Sequence, residues 1–362
     1  MLCETVIKKP IEKNNNIEVL RIIAMLMIIA GHAIGHGNIF DSFTPSGINY
    51  YLVEFFDVVF NVATNVYVAI SGYLLCEKQF KINRAFGLWL QVFFYAVSIY
   101  LVLIFTNIID FSAEGLIKAL LPISGNQYWF ARVYLGLYLF MPFLNLLIKA
   151  MSKKQYQYVL ILSTILFSLW PSFIPFARTL NSEGGNSIIW FCVLYLFAAY
   201  IRKYEIKFKK IGYLIFGTVS FFVFSFISEI LIGYISEKIG FGGRGTSIFT
   251  TFSSFPMLFG SMGILCIAIN APQINKFQKV IQYFSASAFS VYLIHDNKYI
   301  RDIIWNKLKI SELANRCYIL PYIIIVSVLI FVACAMIDKL SYSPIKKLVD
   351  KHTKEKQIAN EK

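Results

Sequence analysis

The chain has 362 residues, 57% of them hydrophobic and 17% aromatic, with only 15% charged and a mean hydropathy of +0.63. Soluble domains carry nearer a quarter charged residues, so the composition excludes a soluble enzyme and points to a polytopic membrane protein. The net charge of +14 does not signal nucleic acid, because the lysines stand in short loops between apolar runs, where they set orientation and meet anionic lipid.

In chain order the expected spans are approximately 17–37, 52–75, 86–108, 128–148, 157–176, 187–201, 211–234, 247–270, 281–297 and 317–337. They describe an all-α integral membrane bundle of about ten transmembrane helices. With the N-terminus inside, the inner segments hold 24 basic residues against nine outside, and Arg132 lies within a span. That asymmetry predicts cytoplasmic N- and C-termini. Residues 1–340 are read as the membrane domain and 341–362 as a short basic cytoplasmic tail. No defensible cleavage site follows Lys8, Lys9 and Lys13, so the first span is expected to be retained. The six cysteines (Cys3, Cys76, Cys192, Cys266, Cys317 and Cys334) lack the clustering that disulfides or a metal need, and no metal is expected. No internal repeat of the kind common in transporters is evident.

The first span carries the most informative charges. Arg21 and His32 are eleven residues apart, which on a helix returns to within about 20° and advances about 16 Å. They share one stripe, and His36 follows one turn later. Ionisable groups in a bilayer are costly and mark sites. The competing reading is that Arg21 snorkels to the headgroups and the histidines cap the far end.

Three later segments join this one. Ile70-Ser71-Gly72-Tyr73-Leu74-Leu75 ends the second span and is followed by Lys78, Lys81 and Arg84. Tyr128-Trp129-Phe130 opens the fourth span and runs to Tyr138, Pro142 and Asn145. Ser285 to His295 closes the ninth with Tyr292-Leu293-Ile294-His295. Together with Arg21-x10-His32, these motifs in this order resemble the acyltransferase 3 family of integral membrane O-acyltransferases. Many relatives carry an acidic residue at the position of Asn65, six before Ser71, and some append a soluble domain.

The resemblance implies transfer of an acyl group, commonly acetyl from acetyl-CoA or another acyl-CoA, to a hydroxyl of a cell-surface glycan or lipid-linked sugar. It places such an enzyme in the cell membrane, most naturally a bacterial plasma membrane, with membrane lipid as a partner, no nucleic acid, no metal and a homo-oligomer left open. His32 is then the general base, with His36 as a second candidate. Arg21, Lys78, Lys81 and Arg84 are expected to grip the phosphates of the donor, and Arg132, Trp129 and His295 to contact the acceptor. Each has a plainer reading. The basic loop obeys positive-inside topology, His295 beside Asp296 caps a helix, and Arg132 snorkels or pairs with Glu54, Asp57 or Glu229. Trp129 and Tyr128 sit where an interfacial aromatic belt is expected. Ser71 and Gly72 are read as a close helix contact. The Gly-rich segment from Gly240 to Gly245 lacks the features of a phosphate loop. A transporter or flippase for a glycan or lipid precursor is the alternative function.

Overall fold

The computed structural model describes residues 14–43, 47–125, 127–174, 182–240 and 246–349, so the expectations for the first lysines, most of the Gly-rich segment and the end of the tail lie outside the described residues. The regular secondary structure of those residues is helical, without a strand among them. The asparagine run Asn14–Asn16 starts the first helix, α1 (Asn15–His36). Asn14 caps it by accepting from the Asn16 backbone N–H, and the Asn16 amide donates to the carbonyls of Ala268, Ala271 and Pro272. The helix end is thereby tied to a segment some 250 residues away.

The chain continues through α2 (Ile48–Asn61) and α3 (Ala63–Leu75), broken at Val62, then α4 (Ile82–Phe105), α5 (Ala113–Leu120) and α6 (Trp129–Ala150). Next come α7 (Lys153–Thr164) and α8 (Trp170–Phe173), joined by a π-turn, then α9 (Ile188–Lys203), α10 (Ile211–Lys238) and α11 (Phe255–Asn270). The last four are α12 (Gln278–Ser285), α13 (Ala288–His295), α14 (Lys298–Leu308) and α15 (Ile319–Leu340). Among the described residues, seven helices are long and apolar enough to cross a membrane: α1, α2 with α3, α4, α6, α7 with α8, α10 and α15. The other three expected spans are shorter. α9 and α11 have 16 residues each, and the ninth is interrupted at Ala286 and Ser287.

Buried and lipid-facing surfaces sort the helices by depth. α1 packs against α2, α3, α11, α12, α13, α14 and α15 and forms the centre of the bundle. α10 lies at the rim, with Phe216, Val219, Ile227 and Leu231 exposed. An apolar helix face left bare in this way is what hydrocarbon covers. Gly72 permits a close helix pair: a Cβ there would stand 2.7 Å from the carbonyl oxygen of Tyr195 on α9. Ser71 bonds across to the Tyr134 hydroxyl on α6 at 2.9 Å, so the Ser-Gly pair does serve close approach, as its small size implies.

Two expectations need correction. The belt reading fails for Tyr128, which is 1% exposed; its hydroxyl donates to the Leu293 carbonyl at 2.9 Å and accepts from the Asn297 amide at 2.8 Å. The last span extends beyond 337 to Leu340, which draws Asp338 into the core at 3% exposure. Four hydroxyls, from Tyr95, Ser287, Ser290 and Ser343, donate to that carboxylate. A polar group inside a bundle needs hydrogen-bond partners, and these bonds tie α4, α13 and α15 together.

Candidate active site

The C-terminal turn of α1 meets the C-terminal turn of α13. His295 is completely buried, and its Nδ1 lies 2.6 Å from the Val291 carbonyl one turn back. A carbonyl only accepts, so this nitrogen carries the proton and Nε2 of the neutral ring carries a lone pair. That lone pair faces His32 Nδ1 at 3.1 Å. His32 therefore donates through Nδ1, and its Nε2 is left as the free base. The geometry fixes a tautomer, which sequence spacing alone does not reach.

Asp296 follows directly, with its Oδ1 3.5 Å from His32, 4.0 Å from His36 Nε2 and 3.7 Å from Arg301 on α14. The ring centroids of His32 and His36 are 5.1 Å apart. His32, His36 and Asp296 offer three ligand atoms within 4.8 Å of one another, a spacing that a divalent metal accepts. The sequence shows only the two histidines of that set in sequence proximity. The carboxylate comes from 260 positions later and is brought there by α13.

The site is held from the side by the tyrosine motif. Tyr128 grips the Leu293 carbonyl, and Phe130 packs on Tyr292 with centroids 5.7 Å apart. From Phe130 the contacts pass to Tyr67 on α3, whose hydroxyl donates to the Arg21 carbonyl at 3.2 Å. Aromatic rings thus line the interior between the two charged ends of α1. Arg21 itself pairs with Glu18 at 2.7 Å.

Near Arg21 lies the segment between α3 and α4. Partial desolvation, and then the charges of Arg84 and Arg21, hold the Lys78 amine below its ordinary pKa, so these cations converge. The motif on α6 explains how the segment keeps its shape. The Asn145 amide donates to the carbonyls of Leu75 and Lys78, both at 3.1 Å, and its oxygen accepts from the Tyr195 hydroxyl. Tyr138 donates to the Lys81 carbonyl at 3.3 Å and lies beneath the Arg84 guanidinium.

The expected residues therefore fall into two groups. His32, His36 and His295 meet at one end, with Trp129 beside a cavity that also touches Asp296. Arg21, Lys78 and Arg84 converge at the other, with Lys81 in the same segment. Arg132 joins neither: it is exposed, and among the described residues no ion pair links it to Glu54, Asp57 or Glu229. Asn65 is structural, donating to the Phe252 carbonyl at 2.7 Å and accepting from the Trp190 indole. Asp296, Arg301, Asn297 and Asp338 are the residues sequence reading underused. For Asp338 the signal was available, since a lone carboxylate at the edge of an apolar run is unusual.

A helical bundle with seven candidate membrane spans among its described residues, an imidazole pair and a cluster of cations defines a multi-pass membrane protein. Residues 14–337 match the family model described as an acyltransferase domain. The chain belongs to the acyltransferase 3 family and is a membrane acyltransferase. No curated protein and no solved structure matches it.

Proposed function

We propose that the protein moves an acyl group, acetyl foremost, from acyl-CoA to a hydroxyl of a cell-surface glycan or lipid-linked sugar. It does so across a plasma membrane crossed ten times, with both termini in the cytoplasm. The observation that carries this reading is the His32–His295 hydrogen bond, which leaves His32 Nε2 as an oriented lone pair at the end of a buried helix. That nitrogen takes the proton of the acceptor hydroxyl as its oxygen attacks the thioester carbonyl. Collapse of the tetrahedral intermediate expels the CoA thiolate, which recovers the proton from His32.

The donor's phosphates lie against Arg21, Lys78, Lys81 and Arg84, and its pantetheine arm runs outward past Tyr67 and Phe130. The offset from Arg21 to His32, about 16 Å along α1, sets the reach required of that arm. His295 is a positioning residue in this scheme, and His36 stands beside the base without a hydrogen bond to it. The transporter alternative has no observation in its favour, and family membership supports the enzyme.

The test uses purified protein, labelled acetyl-CoA and isolated envelope glycans, read as alkali-labile O-acetyl groups. Transfer by the parent and none by a membrane-inserted His32→Ala variant is the expected result. Undiminished transfer by that variant removes the base assignment.

A further inference from the structure

A cavity of about 530 Å³ opens beside the imidazole pair, with Lys118, Gln127, Trp129, Asp296, Lys298 and Arg301 on its wall. Two buried acceptors at this cavity lack a close donor among the described residues: Gln127 Oε1 makes no hydrogen bond, and Asp296 Oδ1 has only the longer contacts to His32 at 3.5 Å, Arg301 at 3.7 Å and His36 at 4.0 Å. Asp296 is only 5% exposed, so its oxygen has no compensating access to water. Orphaned buried acceptors call for O–H or N–H donors from a ligand.

Charge adds a second requirement. Three cations line the cavity against one carboxylate, that of Asp296. The acids that face those cations from neighbouring positions are Glu114, 2.5 Å from Lys118, and Asp302, 3.9 Å from Arg301. They are 75% and 70% exposed, so water and salt screen them more than they screen a group inside the cavity. A neutral sugar supplies hydroxyl donors and leaves the cations unanswered. A simple anion answers the cations and brings no close donor to either oxygen.

We propose that the cavity is the acceptor subsite for an acidic glycan, a sugar or polyol that carries a carboxylate or phosphate near its hydroxyls. This rests on the transferase reading and adds to it the substrate class. The ligand's hydroxyls donate to Gln127 Oε1 and Asp296 Oδ1, its anionic group meets Lys118 and Lys298, and Trp129 supplies a flat apolar wall. Asp296 Oδ1 lies 3.5 Å from His32 Nδ1, so a hydroxyl bound there adjoins the ring whose other nitrogen is the proposed base.

The experiment measures binding without any acyl donor, using the full chain in zwitterionic nanodiscs. The probes are a short oligogalacturonate with its carboxyl-reduced counterpart, and a short polyglycerol phosphate with a neutral glycerol oligomer. At least one acidic probe should bind about tenfold more tightly than its neutral counterpart, and the double variant Lys118→Gln/Lys298→Gln should cut that preference to about twofold. Lys118→Arg/Lys298→Arg should retain it. Equal affinities, no binding by either acidic probe, or a preference untouched by the glutamine variant overturns the proposal. So does displacement of the acidic probes by anionic lipid with the same lysine dependence, which assigns the cavity to headgroups. Selective binding without acyl transfer instead counts against the transferase reading and leaves the subsite standing.

Discussion

Replacing His295 with alanine removes the acceptor that holds His32 in one tautomer. The His32 Nδ1–H then loses the acceptor at 3.1 Å and keeps only the longer 3.5 Å approach to Asp296 Oδ1. An unsatisfied buried donor costs about 1–3 kcal/mol, which the ring escapes by rotating or by shifting its proton to the other nitrogen. Each 1.4 kcal/mol of lost productive population is about tenfold in rate, so kcat should fall about 10- to 100-fold. Removing the base itself, by His32→Ala, should cost more, about 10²- to 10⁴-fold. His295→Gln keeps an oxygen acceptor near the same place and should recover part of the loss. The assay is steady-state acetyl transfer with donor KM recorded alongside thermal unfolding, so that a folding defect is separated from a chemical one. A stable His295→Ala variant with unchanged kcat refutes the reasoning, and one as impaired as His32→Ala makes His295 a reacting group.

Asn145→Leu should release the segment carrying Lys78 and Lys81 and raise KM for acyl-CoA about tenfold while changing kcat little, the pattern of lost uniform binding; an unchanged KM separates that segment from the donor. Asp338→Leu strands four hydroxyls. It should destabilise the bundle by about 3 kcal/mol or more, read as a lowered unfolding midpoint in detergent, whereas wild-type stability would show those hydroxyls to be satisfied elsewhere. Micromolar zinc should suppress activity reversibly through His32, His36 and Asp296, and His36→Ala should blunt that effect. Insensitivity to zinc up to about millimolar concentrations would mean that the three ligand atoms do not converge on an ion.

The parts legible in the sequence share a cause. Hydropathy reads the seven long helices because a span in lipid has to be apolar along its length, and helical phase puts Arg21 and His32 on one stripe. The three shorter elements are harder, since α9, α11 and α13 are surrounded by protein and are relieved of the need to match a bilayer. The belt reading of Tyr128 went astray because position along the membrane axis says nothing about whether a ring faces outward or inward. Asp296 was visible beside His295, but its meeting with His36 depends on how α13 is tilted, a tertiary fact. For Arg132 sequence leaves an acid partner and snorkelling open; the rotation of α6 leaves it exposed, in keeping with the snorkelling reading.

The eight residues of α13 have a consequence for the enzyme's lipid environment. All but Phe289 are buried, with Ser287 and Ser290 bonded to Asp338 at one end and Leu293 held by Tyr128 at the other. Peripheral helices accommodate thinner or thicker bilayers by tilting. A short rod fastened at both ends and touching almost no acyl chains does not follow them. Hydrophobic mismatch is absorbed at the rim, and the imidazole pair keeps its alignment when the surrounding lipids change length.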